Sequence, residues 1–173
     1  ALITGASSGL GAEFARQLAA KGYDLILVAR RRERLEHLAA EIQSRHKVAI
    51  DIQPADLSIL SEIQRLERLI EETENLEVLV NNAGFGIPGL FVDTEIDSIM
   101  MMIKVHVEAT VRLTHAALPA MISRGLGFII QVSSVSAFAS STGSPTYGAT
   151  KAYLNAFVDG LVTELYDTGV KIQ

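Results

Sequence analysis

Short aliphatic runs alternate with longer amphipathic stretches along the chain. Residues 25–28 and 128–130 are apolar at every position, which is typical of strands buried on both faces. The longer stretches repeat apolar residues every three or four positions, which predicts helices. The predicted strands cover residues 2–4, 24–29, 48–53, 76–80, 127–132 and 170–173, and the predicted helices cover residues 9–21, 31–45, 58–74, 95–124 and 145–168.

Strict alternation of strands and helices predicts an α/β fold: a doubly wound parallel sheet with helices on both faces. We treat residues 1–173 as a single domain. The long loops 82–94 and 133–144 both leave a predicted strand at its carboxyl end, where such sheets bind ligands. Because the chain begins and ends on strand-like residues, we expect a domain truncated at both ends. Ser58 or Ser61 is the expected cap of the third helix.

Composition narrows the class of protein. Hydrophobic residues make up 49% of the 173 residues, enough for one core, and there is no cysteine for a disulfide or a thiolate metal site. The four histidines show no metal-ligand spacing, so we expect no metal. A formal net charge of −5 argues against a nucleic-acid surface, and no apolar run is long enough to span a membrane. We expect a cytoplasmic protein.

A glycine-rich turn joins the first predicted strand to the first predicted helix. Gly5, Gly9 and Gly11 follow a Gly-x-x-x-Gly-x-Gly spacing. Glycine permits a tight turn and close backbone approach, and the helix N-terminus beyond it offers free N–H groups to a pyrophosphate. The alternative is an ordinary glycine-rich turn, but its position between strand and helix favours a nucleotide site.

This spacing resembles that of the classical short-chain dehydrogenase/reductase (SDR) family, whose Thr-Gly-x-x-x-Gly-x-Gly pattern matches residues 4–11 in full. The resemblance runs through essentially all 173 residues and implies a Rossmann-type fold that binds a nicotinamide dinucleotide. The cofactor contacts that it implies come from Gly5, Ser7, Ser8, Gly9, Leu10, Gly11, Arg30, Asp56, Leu57, Asn82, Ala83, Gly84, Tyr147 and Lys151.

The end of the second predicted strand bears on the choice of cofactor. An NAD site usually has a carboxylate there for the ribose hydroxyls, whereas an arginine suits a 2′-phosphate. In family terms Ala29 takes the acidic position and Arg30 the basic one, which implies NADP(H) in preference to NAD(H). The alternative is that Arg30 belongs to a solvated helix start, which is our interpretation of Arg31 and Arg32.

Two further loops match the family. Asp56 and Leu57 follow the third predicted strand, where the family contacts adenine, although Asp56 suits a helix cap or turn equally well. Residues 81–84 read Asn-Asn-Ala-Gly after the fourth strand. Asn and Gly are common turn formers, but a four-residue match at this strand end is specific to the family.

Tyr147 and Lys151 are four positions apart in a predicted helix and therefore share one face. A cation beside a phenol favours its ionised form, so the pair can give or take a proton near neutral pH. Alone, this spacing is usually a surface coincidence. Ser134 stands thirteen positions before Tyr147, as the family's catalytic serine does, and its hydroxyl can bond a substrate carbonyl. We interpret Ser133 and Ser136 as structural.

His106 falls where many family members carry a catalytic Asn that helps to hold a proton-relay water. Histidine can donate and accept hydrogen bonds and titrates near neutral pH. His106 can therefore replace the relay, or it can be a satisfied buried histidine. Both alternatives stay open from the sequence.

The resemblance implies an oxidoreductase that transfers a hydride between NADP(H) and a small-molecule carbonyl or alcohol, with Tyr147 as general acid/base. It also implies a homodimer or homotetramer formed through residues 95–124 and 146–168. The alternatives are a non-catalytic NADP(H)-binding sensor or scaffold, favoured only by His106, and another reaction such as epimerisation. The family's C-terminal strand and substrate lid lie beyond these residues, so no substrate is predicted.

Overall fold

A computed structural model describes residues 1–139 and 143–173. Its strands are β1 Leu2–Thr4, β2 Leu25–Ala29, β3 Ile50–Pro54, β4 Val78–Asn81, β5 Gly127–Gln131 and β6 Val170–Ile172. They form one sheet in the order β3-β2-β1-β4-β5-β6, and every neighbouring pair is parallel. The predicted parallel α/β sheet is therefore confirmed.

Helices cover both faces of this sheet. They are α1 Gly9–Ala20, α2 Arg32–Gln43, α3 Leu60–Glu72, α4 Ile96–Ile103, α5 Ala109–Arg124 and α6 Pro145–Glu164. Neighbouring residues of β1 face opposite sides, because Leu2 belongs to the core beneath α3 and α5 while Ile3 belongs to the core beneath α1 and α2. Both side chains are fully buried, which explains the unbroken aliphatic strands.

Three helix predictions need correction. The predicted helix 95–124 is interrupted between α4 and α5 by a π-helical turn, Lys104–Glu108. The predicted helix 145–168 ends at Glu164. Neither Ser58 nor Ser61 caps α3, whose N-cap is Ile59; Ser58 bonds to Asp56 instead.

The strand order reverses direction between β1 and β4, and a crevice opens there at the carboxyl ends of the strands. Loop 82–94 enters this region after β4 and contains a 3₁₀ turn, Phe91–Asp93. The predicted loop 133–144 follows β5, but its residues 140–142 lie outside the described part of the chain. The two loops meet where the backbone N–H of Gly89 donates to the carbonyl of Gly143 at 3.1 Å.

Candidate active site

The glycine turn is shaped by close backbone contacts. Gly5 and Gly9 have φ angles of +67° and +56°, which favour glycine. A Cβ on Gly11 would overlap the carbonyl oxygen of Gly5 and the side chain of Asn82. The turn therefore requires glycine at all three positions, two for conformation and one for space.

Thr4 joins this turn to the Asn-Asn-Ala-Gly loop after β4. Its buried Oγ1 accepts hydrogen bonds of 3.0 Å from the backbone N–H groups of Asn82 and Ala83. The side-chain amide of Asn82 in turn donates to the carbonyl oxygen of Thr4 at 2.9 Å. These hydrogen bonds therefore join the loops of two neighbouring strands into one edge of the crevice.

A cavity of about 390 Å³ lies along this edge. It extends from the ends of β2 and β3, across the glycine turn, to α6. Of the predicted site residues, it is lined by Gly5, Ser7, Ser8, Leu10, Arg30, Asp56, Leu57, Asn82, Ala83, Gly84, Tyr147 and Lys151. Gly9, Gly11, His106 and Ser134 are not among its lining residues.

The cavity also has walls that the sequence patterns do not single out. Phe85, Met101 and Val105 line it near α6 and the π-helical turn, and Val132 lines it beyond β5. We identified no motif for these residues, because an apolar residue that lines a site has the same pattern as a core residue. Leu10, by contrast, is 63% exposed although it belongs to an amphipathic helix, and such exposure of a large apolar side chain is a usable signal of a site.

Two arginines stand at the β2 end of the cavity. Arg30 lines it and is exposed. Arg31 also lines the cavity, and its Nη2 donates to the hydroxyl of Ser7 at 3.2 Å. Arg31 is the exposed N-cap residue of α2, as its interpretation as part of a solvated helix start predicts, and its side chain also reaches the glycine loop.

Asp56 occupies the turn between β3 and α3. Its Oδ1 accepts hydrogen bonds from the backbone N–H of Ser58 at 2.9 Å and from the Ser58 hydroxyl at 2.7 Å. Burial raises the pKa of Asp56, but these two bonds and the charge of Arg30 together lower it below its ordinary value. The carboxylate therefore stays ionised. Asp56 therefore has the turn role that the sequence offered as one alternative, and it also lines the cavity, which an adenine contact would require.

Lys151 is the buried cation at the opposite end. The residue is only 4% exposed, and Nζ donates to the carbonyl oxygen of Val132 at 2.7 Å. Burial lowers its pKa below the ordinary value for lysine. Nζ lies 5.9 Å from the ring centroid of Tyr147, so the predicted Tyr–Lys pair shares one face of α6 beside the cavity.

The serines after β5 have different partners. The hydroxyl of Ser133 donates to the backbone carbonyl of Lys151 at 3.1 Å, which holds α6 against the strand end. Ser134 instead accepts a bond of 3.2 Å from the backbone N–H of Ser136, and its hydroxyl hydrogen is not used in that bond. Ser134 can therefore still donate a hydrogen bond to a substrate oxygen.

His106 lies in the π-helical turn and is 1% exposed. Its Nε2 accepts a hydrogen bond of 3.0 Å from the backbone N–H of Phe85, and its Nδ1 lies 2.9 Å from the hydroxyl of Thr150. Burial, and secondly the charge of Lys151, lower the pKa of His106 to about 4. The imidazole is therefore neutral at physiological pH.

The cavity beside the glycine turn is suited to a dinucleotide. Gly5 lines the cavity, and a Cβ on it would lie 2.7 Å from the Asn82 amide, so glycine lets the two loops pack closely beside the place where a pyrophosphate would bind. Ser8 precedes α1 without making a side-chain capping bond, which leaves its hydroxyl and the N-terminal N–H groups as anion donors. The residues present therefore fit a nicotinamide dinucleotide.

Two negative findings concern only residues 1–139 and 143–173. Within these ranges no three His, Cys, Asp or Glu side chains are close enough to share a metal ion. No helix of the described chain combines the length and apolar character that crossing a membrane requires.

Comparison with known proteins identifies the class. The sequence profile of the short chain dehydrogenase family matches residues 1–173. The chain therefore belongs to the classical short-chain dehydrogenase/reductase family of oxidoreductases, as its motifs predict. A very-long-chain 3-oxoacyl-CoA reductase from Pyrenophora tritici-repentis is 36% identical over 179 residues. The match covers 100% of this chain and 52% of that fungal protein, so the chain spans about half its relative's length.

Solved structures agree closely with the fold. A short-chain dehydrogenase from Sphingobium yanoikuyae in complex with NADPH is 38% identical, with a TM-score of 0.97, and the match covers 99% of this chain and 67% of that one. A bulky-bulky ketone specific alcohol dehydrogenase from Comamonas testosteroni is 37% identical, also with a TM-score of 0.97, and the match covers 99% of this chain and 69% of that one.

Proposed function

We propose that the protein transfers a hydride between NADP(H) and a carbonyl or alcohol substrate. The observation that carries this proposal is the juxtaposition of Tyr147 with the buried ammonium of Lys151 at the α6 end of a cavity that the predicted cofactor-binding residues line. A bound nicotinamide supplies the hydride, and the chain's own residues supply the binding groups and the proton.

The choice of NADP(H) rests on the β2 end of the cavity. Arg30 and Arg31 line it, and Ala29 stands where an NAD site usually has a carboxylate. Planar guanidinium groups suit the 2′-phosphate, and a carboxylate that would repel it is missing from that position. Similarity to a dehydrogenase in complex with NADPH supports the same choice.

At the other end, the residues are suited to move one proton. In the reducing direction the Tyr147 hydroxyl gives its proton to the carbonyl oxygen of the substrate, and the carbonyl carbon receives the hydride, which yields the alcohol. Lys151, held by the carbonyl of Val132, favours the tyrosinate that remains. Ser134 donates a hydrogen bond to the same substrate oxygen and stabilises its developing charge. The oxidation runs through the reverse steps.

The proposal includes a homodimer or homotetramer. The family resemblance implies association through residues 95–124, which contain α4 and α5, and through α6. Helix α6 carries a stacked, partly exposed aromatic pair, Tyr153 and Phe157, with ring centroids 5.9 Å apart. Partly exposed aromatic side chains on a long helix suit a protein contact. The molar mass in solution tests this part of the proposal.

Activity can be tested with a panel of ketones and alcohols, followed by nicotinamide absorbance in the intact protein. Turnover with NADPH or NADP supports the proposal. Tight NADPH binding without turnover of any panel member would contradict it and would favour a non-catalytic NADP(H)-binding sensor.

A further inference from the structure

Both ring nitrogens of His106 have partners, and these partners belong to different parts of the site. Nε2 faces the backbone N–H of Phe85, in the loop after β4, at 3.0 Å. Nδ1 faces the hydroxyl of Thr150, on α6, at 2.9 Å. The Thr150 hydroxyl in turn donates to the backbone carbonyl of Tyr147 at 2.8 Å. The imidazole therefore bridges the cofactor-side loop and the helix that carries Tyr147.

The partners determine the tautomer. A backbone N–H can only donate, so Nε2 must accept and carries no hydrogen. A neutral imidazole then carries its hydrogen on Nδ1, which donates to the Thr150 oxygen. The hydrogen of the Thr150 hydroxyl is already used toward Tyr147, so every donor and acceptor in the chain has a single consistent assignment. The opposite tautomer would set two N–H groups against each other at Phe85.

We infer that His106 is a positioning residue: its Nδ1-protonated, neutral imidazole holds the loop at Phe85 against α6 and so sets the distance between the cofactor-side loop and Tyr147. It does not carry the proton between Lys151 and solvent. The inference rests on the proposed function, because the helix that His106 holds is the one proposed to do the chemistry.

The surroundings exclude a second proton on the ring. An additional proton on Nε2 would displace the N–H of Phe85, and it would place a cation close to the buried ammonium of Lys151. The ring of Tyr147 packs edge to face on the imidazole, with centroids 5.5 Å apart. A neutral phenol does not offset a positive charge on the imidazole as a carboxylate would. A proton relay must take up and release protons in turn. The partners of this imidazole instead hold a single proton on Nδ1.

The size of the imidazole matters to the same loop. A Cβ on Gly84 would lie 2.9 Å from Nε2 of His106, so the ring fills the space directly beside the loop. Phe85 packs on it as well, edge to face at 6.0 Å between centroids. An asparagine at this position can supply the Nδ1-like donor but is too short to supply the acceptor for Phe85.

Nitrogen-15 NMR of the histidine imidazoles in the intact, isotope-labelled protein tests the tautomer directly, with the His106 signals assigned by their loss in H106Q. We expect a protonated Nδ1 and an unprotonated Nε2 that do not titrate between pH 5.5 and pH 9. An Nε2-protonated ring, or exchange between the tautomers, would overturn the inference. This readout does not depend on turnover, so it remains decisive even if the proposed function fails.

Two replacements separate positioning from proton relay. H106Q retains an acceptor at the distance of Nε2 but cannot titrate, and H106F retains the ring volume with neither nitrogen. We expect kcat in H106Q to fall by about tenfold, because the variant loses one hydrogen bond, that of Nδ1 to Thr150. The pH profile of kcat should not change. In H106F we expect kcat to fall by roughly 100-fold, because Tyr147 would no longer be held at its reacting distance. The KM for NADPH should also rise.

The matched control is H37Q, on the exposed side of α2, which should match the wild type. If H106Q and H106F are equally inactive, or if H106Q shifts the pH profile of kcat, His106 acts as a relay and the inference is wrong. If the wild type turns over no substrate, the proposed function fails. Thermal unfolding then decides on positioning, because H106F should be less stable than H106Q, and equal stability would overturn the inference.

Discussion

The side-chain amide of Asn82 donates a hydrogen bond of 2.9 Å to the carbonyl oxygen of Thr4 and so joins the loops that follow β4 and β1. The same amide lies against the face of the glycine turn where Gly11 packs on Gly5. This edge of the crevice therefore depends on contacts between two motifs that are far apart in sequence, and a change in one loop is transmitted to the other.

G11A should disrupt this edge. Its Cβ would overlap Gly5 and the Asn82 amide, and overpacking of this kind costs about 3 kcal/mol at the upper end of its range. We expect a lower free energy of unfolding by urea together with loss of NADPH binding.

The matched control is G9A, where nothing lies within 4 Å of the new Cβ but φ is +56°. Strain alone should cost about 1–2 kcal/mol. Equal stability of G11A and the wild type would show that the two loops do not contact each other as described.

Replacing Arg30 tests the choice of cofactor. Loss of a charge-assisted bond to the 2′-phosphate should weaken NADPH binding by about 10- to 100-fold in R30A, while the weaker binding of NADH stays the same. R31A should have a smaller effect of the same kind, since Arg31 also holds Ser7. Titration of cofactor fluorescence measures both. A wild type that prefers NADH, or an R30A variant that keeps the NADPH preference, would contradict the prediction.

His106 predicts a specific dependence of stability on pH. Its pKa of about 4 in the folded state lies below its ordinary value of 6.5, so only the unfolded chain takes up this proton between those values. Stability contributed by the neutral ring is therefore complete above pH 6.5 and falls as the pH drops toward 4, by about 3 kcal/mol in total. Urea unfolding at several pH values, with H106N as reference, measures the difference. If the free energies of unfolding of the wild type and H106N changed in parallel with pH, the imidazole would not be held neutral.

Ser134 should contribute to turnover rather than to folding. S134A removes the proposed donor to the substrate oxygen, and kcat should fall by roughly 100-fold, with NADPH binding retained. The control is S136A, which keeps the backbone N–H that bonds to Ser134. Steady-state rates distinguish the two variants, and comparable activity of S134A and S136A would exclude the role of Ser134.

The sheet and most of the site could be predicted because their causes are local. Aliphatic runs mark buried strands, and the Tyr147–Lys151 spacing holds on any helix. The π-helical turn could not be predicted, since no local signal separates it from the helices on either side. The contact of Arg31 with Ser7 depends on the course of the chain between β2 and α2.

The assignment at His106 required the structure for a similar reason. Its sequence context leaves proton relay and buried packing equally possible. The partners that decide between them come from residues 85 and 150, which are distant in sequence. Orientation of a buried polar side chain is a tertiary property, and only its neighbours determine which nitrogen carries the hydrogen.

The central claim, proton transfer by Tyr147, is tested most directly by Y147F in the intact protein, because phenylalanine keeps the ring beside Lys151 and removes only the hydroxyl. The measurement is single-turnover oxidation of bound NADPH with a ketone that the wild type reduces, followed by nicotinamide absorbance. The account predicts wild-type affinity for NADPH and a rate of hydride transfer lower by about 100-fold or more. Hydride transfer at the wild-type rate in Y147F would contradict it.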